Sequence, residues 1–112
     1  MAISLRNFSH NEQLSSTVGV LVPVVPNNTK SVVRKLSFYN SGAVEREITL
    51  YVVESGGVAD TGTTIVVKSI TPGTTWNVAE VRNEVLETGM SLQAKQDAGT
   101  DVNANCSGAD IT

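Results

Sequence analysis

From Gly73 to Thr112 the chain sets apolar side chains two residues apart: Trp76 and Val78, then Leu92 and Ala94, then Val102 and Ala104. A spacing of two places alternate residues on opposite faces of a strand, whereas a helix would need spacings of three and four. Leu86-Glu87-Thr88-Gly89 interrupts the run as a turn. The same cadence occurs upstream, which predicts sheet throughout. Composition agrees, because 17 valines, 12 threonines and 11 serines suit a pleated, half-buried surface better than a helix. With 112 residues the chain has room for one modest core.

Residues 1–16 are polar apart from Ile3, Leu5, Phe8 and Leu14. They read as an N-terminal arm, either frayed or ordered against a neighbouring subunit through Leu5 and Phe8. The remainder, 17–112, reads as a single β-sandwich or jelly roll of about seven or eight strands joined by short turns.

Within it, Val18, Val20, Val22 and Val24 alternate with Gly19, Leu21, Pro23 and Val25, so both faces of the first strand are apolar. Pro23 belongs at an edge or bulge, and an apolar edge invites a partner. Leu21 and Pro23 are therefore candidate interface residues. In the second strand Arg34 shares a face with Val32, Leu36 and Phe38, where alternation predicts core. It either snorkels at the sheet margin or pairs across a subunit boundary. In the third strand Ile48, Leu50 and Val52 face one way and Thr49, Tyr51 and Val53 the other. Tyr51 and Val53 thus make the second face a candidate contact surface. Glu80 to Glu87 reads as strand plus turn.

No constellation for chemistry emerges. The single histidine, His10, lies in the polar arm without an orienting partner, and the single cysteine, Cys106, follows Val102 and Ala104 on a strand face as a structural thiol. One His and one Cys do not make a zinc shell. Asp97-Ala98-Gly99-Thr100-Asp101 reads as a hairpin turn, not a calcium loop, and Gly56-Gly57 lacks the lysine and hydroxyl of a phosphate loop. The chain is read as non-enzymatic, without metal or cofactor. A net charge of −3 with Lys and Arg scattered along the sequence argues against nucleic acid as partner. The longest apolar run, Val18 to Val25, is too short to span a bilayer, and no signal peptide opens the chain. Folding in a reducing cytoplasm is the expectation, and the Asn-x-Ser/Thr matches at Asn7, Asn27 and Asn105 carry no weight there.

Taken together, Val24-Val25-Pro26-Asn27-Asn28-Thr29-Lys30, Leu36 to Ser41, Ile48 to Val53, Thr71-Pro72-Gly73-Thr74-Thr75, Leu86-x-x-Gly89-x-x-Leu92-x-Ala94 and the closing Ser107 to Thr112 resemble small β-sandwich structural proteins of tailed bacteriophages. The resemblance covers roughly residues 17–112. It departs at Met90, where an acidic residue usually follows the glycine. What it implies is a virion component, foremost a capsid decoration or cement protein that binds the major capsid protein. It implies a homotrimer, since decoration proteins usually occupy local threefold positions, with the arm clamping neighbouring capsomers. On that expectation, deleting residues 1–16 weakens capsid binding without unfolding the domain. The rivals are a tail, collar, baseplate or fibre-attachment protein and, from another class, a carbohydrate-binding host-attachment module. The last is disfavoured because Trp76 and Phe38 are needed for the core, leaving few aromatics to stack on sugar.

Overall fold

The computed structural model describes residues 2–112, and its strands follow the alternation read above. Among the described residues nine strands form: β1 (Ile3–Gln13), β2 (Gly19–Val22), β3 (Lys30–Asn40), β4 (Arg46–Val53), β5 (Thr64–Ile70), β6 (Thr75–Asn77), β7 (Glu84–Leu86), β8 (Ser91–Gln96) and β9 (Val102–Ile111). One 3-10 turn, Ala79–Val81, precedes β7.

Two sheets result. The first has the order β1-β9-β3-β6, with β7 also pairing with β3, and the second has the order β2-β8-β4-β5. Every pairing is antiparallel. The first strand lies beside the last, and the chain crosses repeatedly from one sheet to the other, which is jelly-roll topology. Between the sheets lie Leu21, Val22, Val33, Leu36, Phe38, Ile48, Leu50, Leu92, Ala94, Val102 and Ala104, all buried in one cluster. Trp76 stacks on Phe38 with ring centroids 5.5 Å apart, as the alternation of both residues requires. The 97–101 segment is a turn but not the expected hairpin: β8 and β9 belong to different sheets, so it carries the chain across from one to the other, held down by Arg46, whose Nε donates to the Asp101 carboxylate at 2.8 Å.

The N-terminal segment corrects the expectation of an arm. Residues 3–13 form β1 and pair with β9 from Ile3↔Ile111 to Gln13↔Asn103, while Leu14 is buried in the core. Met1 lies outside the described residues. The sandwich therefore includes most of the segment that polarity alone assigned to an arm. An edge strand exposed on several sides needs few apolar residues, so its composition resembles that of a tail. Neither a frayed terminus nor a segment waiting for a neighbour describes β1. Its partner is β9 of the same chain.

Candidate association surface

Three β-bulges decide where the predicted interface residues end up. A bulge sets two residues against one and shifts the alternation of everything beyond it. In β3 the register steps from Val33↔Gly108 to Lys35↔Ser107, so Arg34 is the extra residue. Arg34 and the following Lys35 are both exposed, while Val33 and Leu36 on either side are buried. Arg34 thus leaves the core face that strict alternation assigned to it, and Val32 turns outward too.

In β2 the register steps from Val20↔Gln93 to Val22↔Leu92, which makes Leu21 the extra residue. Leu21 and Val22 both point into the core, and Leu21 is only 1% exposed. Its place is within the subunit, not at an interface. Pro23 is exposed and follows the end of β2, so it breaks no ladder. In β1 the step from Asn7↔Ser107 to Ser9↔Cys106 leaves Phe8 extra. Phe8 is half-buried against the core and Ser9 beside it is buried. Ser9 Oγ donates to the Leu21 carbonyl at 2.6 Å, tying the β1 bulge to that of β2.

The Tyr51 and Val53 face is also not free. Both side chains are buried, Tyr51 at 5% exposure, yet neither belongs to the inter-sheet cluster. The loop between β4 and β5 covers them: Ala59, Asp60 and Thr61 border the same groove as Tyr51, and Gly57 approaches the Val53 side chain. Sequence spacing exposes a strand face but does not reveal that a loop will fold back over it.

Leu5 and Arg34 are brought together. Directly opposed residues on antiparallel strands share a face, and the registers Leu5↔Ala109, Ala109↔Val32 and Val32↔Val85 align four apolar side chains across β1, β9, β3 and β7. This row lies on the outer surface of the first sheet. Leu5 is 88% exposed, with Ile3 and Val85 also exposed nearby. Arg34 borders the row in a shallow depression with Leu5, Arg6, Asn7, Ser107 and Gly108. Beyond it Arg34, Lys35 and Arg82 line an adjoining recess. Cations scattered in sequence are thus gathered in space, and among the described residues none of these three forms an ion pair. Arg6 is committed: its Nη1 donates to the Asp110 carboxylate at 2.7 Å.

On the other side of β7 runs a groove of opposite character. Val52, Ile65 and Met90 supply apolar surface, and Glu54, Glu80 and Glu84 supply three carboxylates without a basic residue in the lining. The sequence carried no sign of this seam, because Glu54 and Glu84 are brought near one another only when β5 and β7 form facing edges of the two sheets.

Cys106 is buried, and burial pushes its thiol up to about 12, the state of an inert structural thiol. Among the described residues no group of three His, Cys, Asp or Glu side chains is placed to hold a metal ion, and no helix is long and apolar enough to cross a membrane.

These features define an all-β jelly-roll domain whose distinctive surfaces are sheet faces and edges. Comparison with solved structures places the same fold in assembled particles and fibres. The chain is similar to a protein of Bacillus endospore appendages, described as disulfide-linked pili, at 15% identity and TM-score 0.53, over 98% of this chain and 88% of that one. It is also similar to a chain of infectious bursal disease virus, Gx strain, at 16% identity and TM-score 0.52 over 97% of this chain. The VP2 protein of the same virus, as a D431N mutant in T=1 particles, gives the same identity and TM-score. This chain spans about 31% of the length of those viral chains. At these identities the likeness is one of fold. No protein-family pattern matches the sequence, and none of the curated proteins matches it.

Proposed function

We propose that this chain is a non-catalytic structural subunit of a virion, a capsid decoration or cement protein that oligomerises and stabilises the major capsid shell. The observation that carries the reading is the apolar row Leu5, Ala109, Val32 and Val85 on the outer face of the first sheet, open at Leu5 and Val85, with Val32 half-buried and Ala109 buried between them, and flanked by unpaired cations. An apolar sheet face left open in a single subunit is the form of a surface that is buried in an assembly. The jelly-roll fold, found here in capsid and pilus neighbours, and the bacteriophage resemblance of residues 17–112 support the same role.

The test is sedimentation of purified protein with undecorated bacteriophage capsids. Co-pelleting at a copy number comparable to that of the shell subunits is the expected result. Binding at a handful of copies per particle moves the protein to the tail, collar or baseplate, and no binding overturns the virion reading.

A second reading, a fibre subunit, draws on the endospore-appendage neighbour, which is matched over 88% of its own length. The disulfide linkage described for those pili has no counterpart here, because the single cysteine is buried. Filaments formed by the protein alone under the electron microscope would favour this second reading.

A further inference from the structure

We propose that the cation-flanked face of the first sheet docks into the glutamate-lined groove beside β7 of a second copy of this chain. The inference rests on the structural-subunit reading and names the partner of that same surface. Three features of the two surfaces match.

The first is charge. Arg34, Lys35 and Arg82 line one surface, and Glu54, Glu80 and Glu84 line the other. Among the described residues none of the six forms an ion pair within the subunit. The ion pairs that do form internally among the described residues are Arg6 with Asp110, Arg46 with Asp101 and, more loosely at 3.6 Å, Lys30 with Glu87. These six are thus among the charges that the fold itself leaves without an internal partner.

The second is apolar content. The cationic surface borders Leu5, Val32 and Val85, and the acidic groove exposes Ile65 with Val52 and Met90. Each side thus presents an apolar centre with a charged rim of one sign, the arrangement in which burial supplies affinity and the rim fixes register and partner.

The third is backbone. Arg34 stands out because β3 bulges against Gly108 and Ser107, interrupting a central ladder where an unbroken pairing would have turned the residue inward. A bulge that re-aims one side chain is a common device beside functional surfaces.

The two surfaces are different patches of one molecule, so the contact is heterologous: each copy gives its cationic face to one neighbour and its groove to another.

The experiment is light scattering on four forms of the full chain, with thermal melting to confirm that each is folded. They are the wild type, Arg34→Glu with Arg82→Glu, Glu80→Lys with Glu84→Lys, and the chain carrying all four changes. The wild type is expected to be oligomeric. Each two-site variant should associate at least about tenfold more weakly, because like charges then face each other. The four-site variant should recover the wild-type mass, because the contact is restored with its signs exchanged. A monomeric wild type overturns the proposal, as do two-site variants that keep the wild-type mass or a four-site variant that remains dissociated while folded.

Co-sedimentation of the same proteins with capsids separates this proposal from the reading beneath it. A chain that is monomeric in every form yet pellets with shells overturns the contact alone. One that oligomerises as described but never pellets overturns the virion role and leaves the contact standing.

Discussion

Gly108 of β9 faces Val32 of β3 so closely that a Cβ at this position would land on the Val32 carbonyl oxygen, with the Phe8 ring edge 3.0 Å away. The bulges at Phe8 and Arg34 flank this point on the two neighbouring strands, so the close approach and the outward turn of Arg34 belong to one local arrangement. Gly108→Ala forces backbone apart in the middle of the sheet, and overpacking of this kind typically costs about 1–3 kcal/mol. Denaturant unfolding should show a loss at the upper end of that range or beyond, because the obstructing atom is backbone. An unchanged midpoint would mean that the sheet relaxes freely here.

Asn40, fully buried at the end of β3, gives a second test. Its Nδ2 donates to the carbonyls of Val44 at 2.8 Å and Ile70 at 2.9 Å, and its Oδ1 accepts from the Gly42 N–H at 3.0 Å. Asn40→Asp is nearly isosteric but turns the donor group into an acceptor facing two carbonyls. Loss of about 3 kcal/mol or more follows from a buried charge stripped of its partners. Chemical denaturation at pH 7 checks it, and a loss below about 1 kcal/mol would show that the site admits water.

Removing residues 1–16 should unfold or strongly destabilise the protein, in contrast to what a loose arm would allow. The deletion removes the whole β1–β9 ladder, the half-buried Phe8 and the buried Leu14. Burying a Leu or Phe side chain is alone worth about 1.5–3 kcal/mol. Circular dichroism and thermal melting of the truncated chain decide the matter, and a cooperative transition at the wild-type temperature would contradict the role of β1 in the sandwich.

Much of this fold is legible in the sequence because alternation is a direct record of which side of a strand is buried. Phe38, Trp76, Leu50, Leu92 and Ala104 fall where the spacing puts them. What the spacing misses lies beyond bulges or beneath loops. One extra residue reverses the parity of a strand, so Leu21 reads as surface and is core, while Arg34 reads as core and is surface. Tyr51 and Val53 sit on the outward face as alternation says, but the 54–63 loop returns over them, and nothing local to β4 encodes that. The acidic groove is harder still, since Glu54, Glu80 and Glu84 come from segments joined only by the pairing of whole sheets.

Acid should weaken the protein partly through Asp110. Burial acts to raise its pKa, but hydrogen bonds from Ser31 and Arg6 and the charge of Arg6 outweigh that, leaving it below the ordinary value of 3.8. A carboxylate with a depressed folded pKa stabilises the fold above its unfolded value and loses that contribution as pH falls through the folded one. Wild-type stability should therefore decline below about pH 4 more steeply than that of Asp110→Asn, for an unfolded carboxyl near 3.9. Parallel acid-denaturation curves for the two proteins would remove Asp110 from the account.

Cys106 should be silent toward thiol reagents while the protein is folded. The thiolate is the reactive form, and burial holds the thiol at about 12, so only a negligible fraction is ionised at pH 8. Labelling with an aromatic disulfide reagent should be slow in buffer and complete in denaturant, its rate following unfolding. Fast stoichiometric labelling of the native protein would show that β9 opens readily, and would weaken the contrast with the disulfide-linked fibre neighbour.

Leu5→Asp separates association from stability. At 88% exposure Leu5 contributes little to the core of its own subunit, and substitutions at such positions usually change stability by no more than about 0.5 kcal/mol. It nevertheless begins the row that continues through Ala109 and Val32 to Val85. A carboxylate there adds a charge to an apolar centre and would have to be desolvated whenever the face is covered. The melting temperature of the dilute protein should stay near that of the wild type while the mass in solution and the occupancy on capsids both fall. If Leu5→Asp leaves both association readouts intact, the outer face of the first sheet is ordinary solvent-facing surface, and the contacts of the assembly lie on the second sheet instead.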